Sequence, residues 1–244
     1  MKICDAHVHL GESGPWQPYA DPTIYIDQLI SLFDKYDVEQ AIVFPNPNVG
    51  DEYPRMNDYI AASAKKYPSR VVGFGRVDPR RKDATKELVR IKNALGLSGL
   101  KLHPMVECFR PDHPYFNKFF EKTAELDLPI LFHTGDGFSS PGLVTKIAKK
   151  HHKLPIILGH LREGCLSVMK ECENVWVETS GTLPELIELA ADIDEDRILF
   201  GSDAPYYRYP AQIAIVETAE VSARTKRKVL YENLKNMFKS HERK

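Results

Sequence analysis

The sequence predicts one (β/α)₈ barrel, a TIM barrel, forming a single domain with an extra C-terminal helix. Eight short β-branched or aliphatic runs are spread along the chain, and the segments between them carry helical periodicity and helix-start signals. The length of 244 residues is also close to the roughly 250 typical of this architecture. Repeated βα units imply a parallel sheet. An open doubly wound sheet would produce a similar string, and in either fold the polar groups that do chemistry belong at the carboxyl ends of the strands.

The strands are expected at 3–8, 41–44, 71–77, 97–102, 130–132, 156–158, 175–177 and 198–200. For the first helix, Asp21 is the expected N-cap and Pro22 fits the first turn. Tyr25, Leu29, Leu32, Phe33 and Tyr36 then fall at helical spacing and make one face apolar. Ser140-Pro141 opens a later helix in the same way, and Thr182 and Glu185 have the spacing of a capping box around Pro184. After the eighth strand, 210–221 and 223–240 read as helices. The second, with Leu230, Leu234, Met237 and Phe238 on one side, is the expected closing helix. No linker, low-complexity tract or charge block divides the chain, so residues 1–244 are expected to form one domain.

Thirty-three basic residues against 34 acidic ones give a formal charge of −1, which supplies no field to attract a polyanion. A nucleic-acid partner is therefore not expected. The first residues lack the apolar run of a signal peptide, and no stretch approaches the ~18 apolar residues of a membrane span. The expectation is a cytoplasmic protein acting on a small molecule. Cys4, Cys108, Cys165 and Cys172 contain no C-x-x-C pair and read as buried or free thiols.

Chemistry-bearing residues gather where strands end. His7 and His9 close the first run and, at period two, project to one side. Lys101 and His103 end the fourth, His133 the fifth, His160 the sixth, and Gly201-Ser202-Asp203 the eighth. Titratable groups collected at one edge are costly to bury without a shared partner, and a cation supplies one. Imidazole plus carboxylate suits Zn²⁺, with Mn²⁺ or Fe²⁺ in a looser site. Other signals fail. Gly73-Phe74-Gly75 lacks the third glycine of a dinucleotide fingerprint, there is no G-x-S-x-G, and His151-His152 sits among lysines at a helix end.

At these residues the chain resembles the amidohydrolase superfamily, and within it the amidohydrolase-2 branch of metal-dependent hydrolases and decarboxylases. Asp5-Ala6-His7-Val8-His9-Leu10 is similar to the branch's opening metal motif, and Gly99-Leu100-Lys101-Leu102-His103-Pro104 to its fourth-strand signature. His133, Gly159-His160 and Gly201-Ser202-Asp203-Ala204-Pro205 follow in the family's order, and 233–238 resembles its closing helix, with Asn236 where Arg is common. The resemblance implies that His7, His9, His133 and Asp203 bind one divalent metal, most simply Zn²⁺, with His160 beside it as acid or base. It also implies that Lys101 and His103 line the pocket, and that barrels of this kind pair as homodimers. A binuclear variant is the alternative: a carboxylated Lys101 would bridge two metals, with His133 and His160 holding the second. The chain is short for the branch, so family substrates do not carry over. Glu178 stands where the seventh strand often has Asp, either as a partner to the metal ligands or as an ordinary strand-end carboxylate.

Hydrolysis is the expected reaction. A bound metal lowers the pKa of water to about 7. Asp203 would take the water's proton, and His160 would stabilise the oxyanion or protonate the leaving group of an ester, lactone or amide. The alternative is decarboxylation of an aromatic or enoic carboxylate, with His160 protonating the carbon. Trp16, Phe44, Arg110, Phe138, Arg162, Tyr206 and Arg208 are the loop residues that would choose between substrates, and Arg162 and Arg208 are candidate carboxylate clamps or else surface ion pairs.

Overall fold

The computed structural model describes residues 2–14 and 21–242; the candidate Trp16 lies outside them. Eight strands run parallel in sequential order: β1 (Ile3–Leu10), β2 (Val38–Pro45), β3 (Val71–Arg76), β4 (Gly99–Leu102), β5 (Ile130–His133), β6 (Ile156–Gly159), β7 (Val175–Glu178) and β8 (Ile198–Leu199). The two-residue β8 closes the barrel through the chain that follows it. Ala6 N–H donates to Phe200 O, Asp203 N–H to His7 O and His9 N–H to Ala204 O, each at 2.8 Å. The fold is the expected TIM barrel.

Helices α1 (Ile26–Lys35), α2 (Tyr53–Lys66), α3 (Ala84–Asn93), α4 (Asn117–Glu125), α5 (Thr145–Lys150), α6 (Glu163–Glu171), α7 (Pro184–Asp194) and α8 (Tyr209–Thr218) alternate with or follow the strands. They cover one large apolar layer, in which Leu29 and Phe33 of α1 and Leu88 and Ile91 of α3 are fully buried. A second cluster fills the barrel itself: Cys4, Ala6, Ile42, Phe44, Phe74, Leu131, Ile157 and Leu199. Leu234 and Met237 join that inner cluster from α10 (Asn233–Glu242), which follows α9 (Ala223–Arg227) and one π turn, Lys228–Glu232. The closing helix thus seals the barrel floor. Among the described residues no helix is long and apolar enough to cross a membrane.

Two local expectations change. Asp21 does not cap α1. Its carboxylate accepts from Thr23 N–H and Ser13 Oγ, both at 3.0 Å, and Ile24 bridges to Gly11, so the helix starts later, behind Tyr25. Thr182 does not make a capping box, because its hydroxyl donates to Leu161 O at 2.7 Å and Leu183 precedes Pro184 as the cap. In both cases a tertiary acceptor or donor outcompetes the local cap.

A register shift in β1 between Asp5 and Val8 positions the site. Cys4 and Ala6 face the barrel interior, and strict alternation would send Val8 there too. The bulge restarts the alternation, so Val8 and Leu10 pack in the outer layer while His7 and His9 reach the barrel mouth. Asp5 stabilises this bend by accepting from His7 N–H at 2.9 Å and Ser202 N–H at 3.0 Å.

Candidate metal centre

Side chains from β1, β5, β6 and the segment after β8 converge at the carboxyl end of the barrel. Asp203 Oδ1 lies 3.2 Å from His7 Nε2 and 3.1 Å from His9 Nε2. It is buried and makes no hydrogen bond. An orphaned carboxylate oxygen facing imidazole nitrogens is what a cation site looks like from its ligands. Donor atoms of His7, His160 and Asp203 all fall within 4.8 Å of one another. His133 joins through His160, with His160 Nε2 3.0 Å from His133 Nδ1, and the His133 ring stacks on His103 with centroids 3.6 Å apart.

Two of the five described non-glycine residues with left-handed backbone lie here. His160 (φ 60°) and Asp203 (φ 54°) both adopt the left-handed conformation, which costs a side-chain-bearing residue about 1–3 kcal/mol. The chain therefore turns sharply at the mouth, directly after β6 and again in the segment that follows β8. Burial pushes the pKa of His7, His9, His103 and His133 down, helped by neighbouring cationic groups, and His160 is pushed down to about 4. Neutral imidazoles with available lone pairs are the form that binds a metal. Burial raises the Asp203 carboxyl and lowers the Lys101 ammonium, the direction expected of charges in a dry site.

Glu178 is the main support beneath these groups. Fully buried, its Oε1 sits 2.7 Å from His7 Nδ1 and accepts from His160 N–H at 2.6 Å. Ser180 gives it a hydroxyl bond to Oε1 at 2.8 Å and a backbone N–H bond to Oε2 at 2.7 Å. Of the two readings open for Glu178, partner to the candidate ligands is the one its position matches. A second buried network was not visible in the sequence: Glu107 accepts from Arg76 Nε and Tyr53 Oη at 2.9 Å and from His103 N–H at 2.6 Å, anchoring the loop that carries His103. Glu107 and Ser180 end no periodic pattern and belong to no motif, so only tertiary contacts reveal them.

A cavity of about 210 Å³ opens above the centre, walled by His9, His103, His133, His160, Asp203, Arg162, Tyr206, Tyr207, Pro47 and Val106. Arg162 is thus at the cavity, with its guanidinium donating to Gly181 O at 3.4 Å. Lys101 lies below it, fully buried, with Nζ 3.2 Å from His7 Nε2 and 4.9 Å from the Phe44 ring centroid. Phe44 packs edge-on against His7 and His9. Phe138 and Arg208 are exposed and are not among the lining residues, and Arg110 is exposed in an ion pair with Asp112.

Barrel and site together define an enzyme of the strand-end histidine–carboxylate class, with a donor set suited to a divalent cation. The chain belongs to the amidohydrolase family, whose model matches residues 4–239. A curated relative, the γ-resorcylate decarboxylase of Polaromonas sp. (strain JS666), is 23% identical over 285 residues, covering 87% of each chain. Among solved structures, 5-carboxyvanillate decarboxylase from Sphingomonas paucimobilis superposes with a TM-score of 0.82 at 14% identity, covering 98% of this chain and 99% of that one. A dihydroxybenzoic acid decarboxylase from Polaromonas sp. JS666, with bound manganese and the inhibitor 2-nitroresorcinol, gives a TM-score of 0.77 at 19% identity, covering 98% and 97%. At such identities the structural likeness is one of fold.

These relatives correct the expectation of an ester, lactone or amide hydrolase. Decarboxylases match the chain along its length, and hydrolysis is supported only for the wider superfamily. The strand-end motifs could not make this distinction, because the same donor set can polarise an oxygen in either reaction.

Proposed function

We propose that this chain is a metal-dependent decarboxylase of a small, single-ring aromatic carboxylate of the hydroxybenzoate kind. The observation that carries the reading is the cavity over the histidine–aspartate cluster, set beside relatives that are themselves named decarboxylases of such acids. At about 210 Å³ the cavity is smaller than the ~300–1,000 Å³ typical of pockets for larger ligands, which favours one ring.

His7, His9, His133 and Asp203 would hold the ion, and three imidazoles with one carboxylate suit Mn²⁺ or Zn²⁺. When bound, it supplies positive charge that orients the substrate's carboxylate and the adjacent ring oxygen. The remaining work falls to the protein. Arg162 offers a cation at the cavity wall, and His103, stacked on His133, presents a rigid polar face to the ring. The bond between ring and carboxylate carbon breaks with its electron pair left on the ring carbon, CO₂ leaves neutral, and that ring carbon takes a proton. His160 first takes a proton from water and then passes it to that carbon, so the imidazole ends neutral, as it began. Burial disfavours the imidazolium, so the proton is readily passed on.

The test is product analysis. Manganese-loaded protein is incubated with 2,6-dihydroxybenzoate and 5-carboxyvanillate, and separately with lactones and aryl esters. Loss of CO₂ from an aromatic acid is the expected result. Turnover confined to the esters or lactones, with water added to the product, overturns the reading.

A further inference from the structure

Most arginines of this chain serve the protein's own carboxylates: Arg70 pairs with Asp34, Arg76 with Glu107, Arg90 with Glu87 and Arg197 with Asp194. Arg162 does not. Among the described residues its guanidinium has a single partner, the Gly181 carbonyl 3.4 Å from one terminal nitrogen, although such a group carries five N–H donors. Gly181 is itself held in place. Its N–H donates to Oε1 of the buried Gln212 at 2.8 Å, and in its left-handed conformation (φ 61°) a Cβ would come within 3.3 Å of the Tyr207 ring. Arg162 and Tyr207 both wall the cavity. A fixed carbonyl thus props an uncommitted guanidinium against that wall.

The charges around the cavity are lopsided. Asp203 is the one carboxylate on the described wall, and it faces His7 and His9, where a cation would take it up. Deeper groups come in opposite signs, Glu178 with Lys101 and Arg76 with Glu107. A divalent ion on Asp203 keeps one positive charge in excess, and Arg162 adds a second. A monocarboxylate leaves one of the two unmatched, whereas a dicarboxylate matches both, and the forked N–H groups of a guanidinium fit the two oxygens of a carboxylate. We infer that Arg162 is a specificity-determining residue that selects aromatic acids with a second carboxylate, holding the one that stays on the ring while the other is lost at the metal centre. Solvation alone accounts for an exposed arginine, but not for one propped at the cavity wall without a countercharge. Which carboxylate departs rests on the decarboxylase reading; the preference for a dianion does not.

The test is calorimetric binding of benzoate, isophthalate and terephthalate to manganese-loaded protein, followed by kinetics. One of the dicarboxylates is expected to bind about 10- to 100-fold more tightly than benzoate, the range for charge-assisted hydrogen bonds, and Arg162→Gln should erase that lead. Arg162→Lys keeps the charge but not the fork and should recover part of it. The preference in kcat/KM for 5-carboxyvanillate over 2,6-dihydroxybenzoate should fall in Arg162→Gln by a similar factor, through KM. Benzoate binding as tightly as both dicarboxylates in the wild type overturns the inference without recourse to any variant. So does an Arg162→Gln protein that loses benzoate as much as the dicarboxylates, since Arg162 would then hold the sole carboxylate. A dicarboxylate lead that vanishes in Arg162→Gln, with no CO₂ released from any acid, upholds the inference and sinks the decarboxylase reading alone.

Discussion

Oε2 of Glu178 occupies the place where a Cβ on Gly201 would have to sit. The end of β7 and the second residue after β8 are therefore fitted to each other. Glu178 cannot retreat, because His7, the His160 backbone and both polar groups of Ser180 hold its two oxygens. A carboxylate one methylene longer than Asp reaches under the barrel mouth only because residue 201 has no side chain.

Gly201→Ala should therefore cost about 1–3 kcal/mol, the usual penalty for overfilling a packed interior, and should weaken metal binding by displacing the partner of His7. Shortening the carboxylate in the same chain, Glu178→Asp with Gly201→Ala, should recover much of the loss. Urea unfolding of the two single variants and the double variant measures the coupling. Additive losses would mean that the two residues do not interact as described.

Metal content is expected at about one Mn²⁺ or Zn²⁺ per chain in protein purified without chelator or polyhistidine tag, as one shared donor cluster implies. Asp203→Asn, which replaces the unpartnered oxygen's charge, should lower occupancy by ten-fold or more, about the effect of losing a primary ligand's support. Chelation should abolish CO₂ release and added Mn²⁺ restore it. Two metals per chain would instead favour the bridging role for Lys101, whose Nζ already lies 3.2 Å from His7 Nε2.

The barrel was legible in the sequence because apolar runs and helix starts alternate over the whole chain, and His7, His9, His133, His160 and Asp203 were legible because each falls at a strand end. What the sequence could not show depends on contacts between distant segments. Asp21 is spent on Ser13 and Thr23 instead of a helix cap, and Arg76 and Glu107 look like surface charges until β3 and the loop after β4 bury them together. Arg208 and Phe138 illustrate the converse: adjacency to a site residue or strand end in sequence did not place them on the cavity wall.

Arg76 and Glu107 form an almost fully buried ion pair at 2.9 Å, so removing one partner should be worse than removing both. Arg76→Met leaves Glu107 with Tyr53 and the His103 backbone but no countercharge, and should cost about 3–5 kcal/mol. Arg76→Met with Glu107→Leu should be less destabilised than the sum of the single variants, as read from chemical denaturation. Loss of activity should accompany Glu107→Leu in either background, because His103 then loses the acceptor of its backbone N–H.

Acid stability reports on the barrel floor as well as on the buried histidines of the site. Glu39 of β2 binds the ammonium groups of Lys2 and Lys235 and accepts from Tyr231 Oη at 3.0 Å, tying α10 and the π turn to the sheet. Hydrogen bonds from Lys2, then Lys235, pull its carboxyl down to about 2 from the usual 4.5. The folded state thus holds the charged form more tightly than the unfolded state does. That contribution is complete above pH ~4.5 and is lost as the pH falls toward 2, because protonation then favours the unfolded chain. Glu39→Gln should lower Tm at pH 7 and flatten its fall between pH ~4.5 and ~2, since the group that titrates there is gone. Melting curves of both proteins across that range decide the matter: parallel acid limbs would show that Glu39 carries no linked stability, and that α10 is held to the floor by its other contacts, Leu234, Met237 and the Asn233 amide bond to Ile198 O among them.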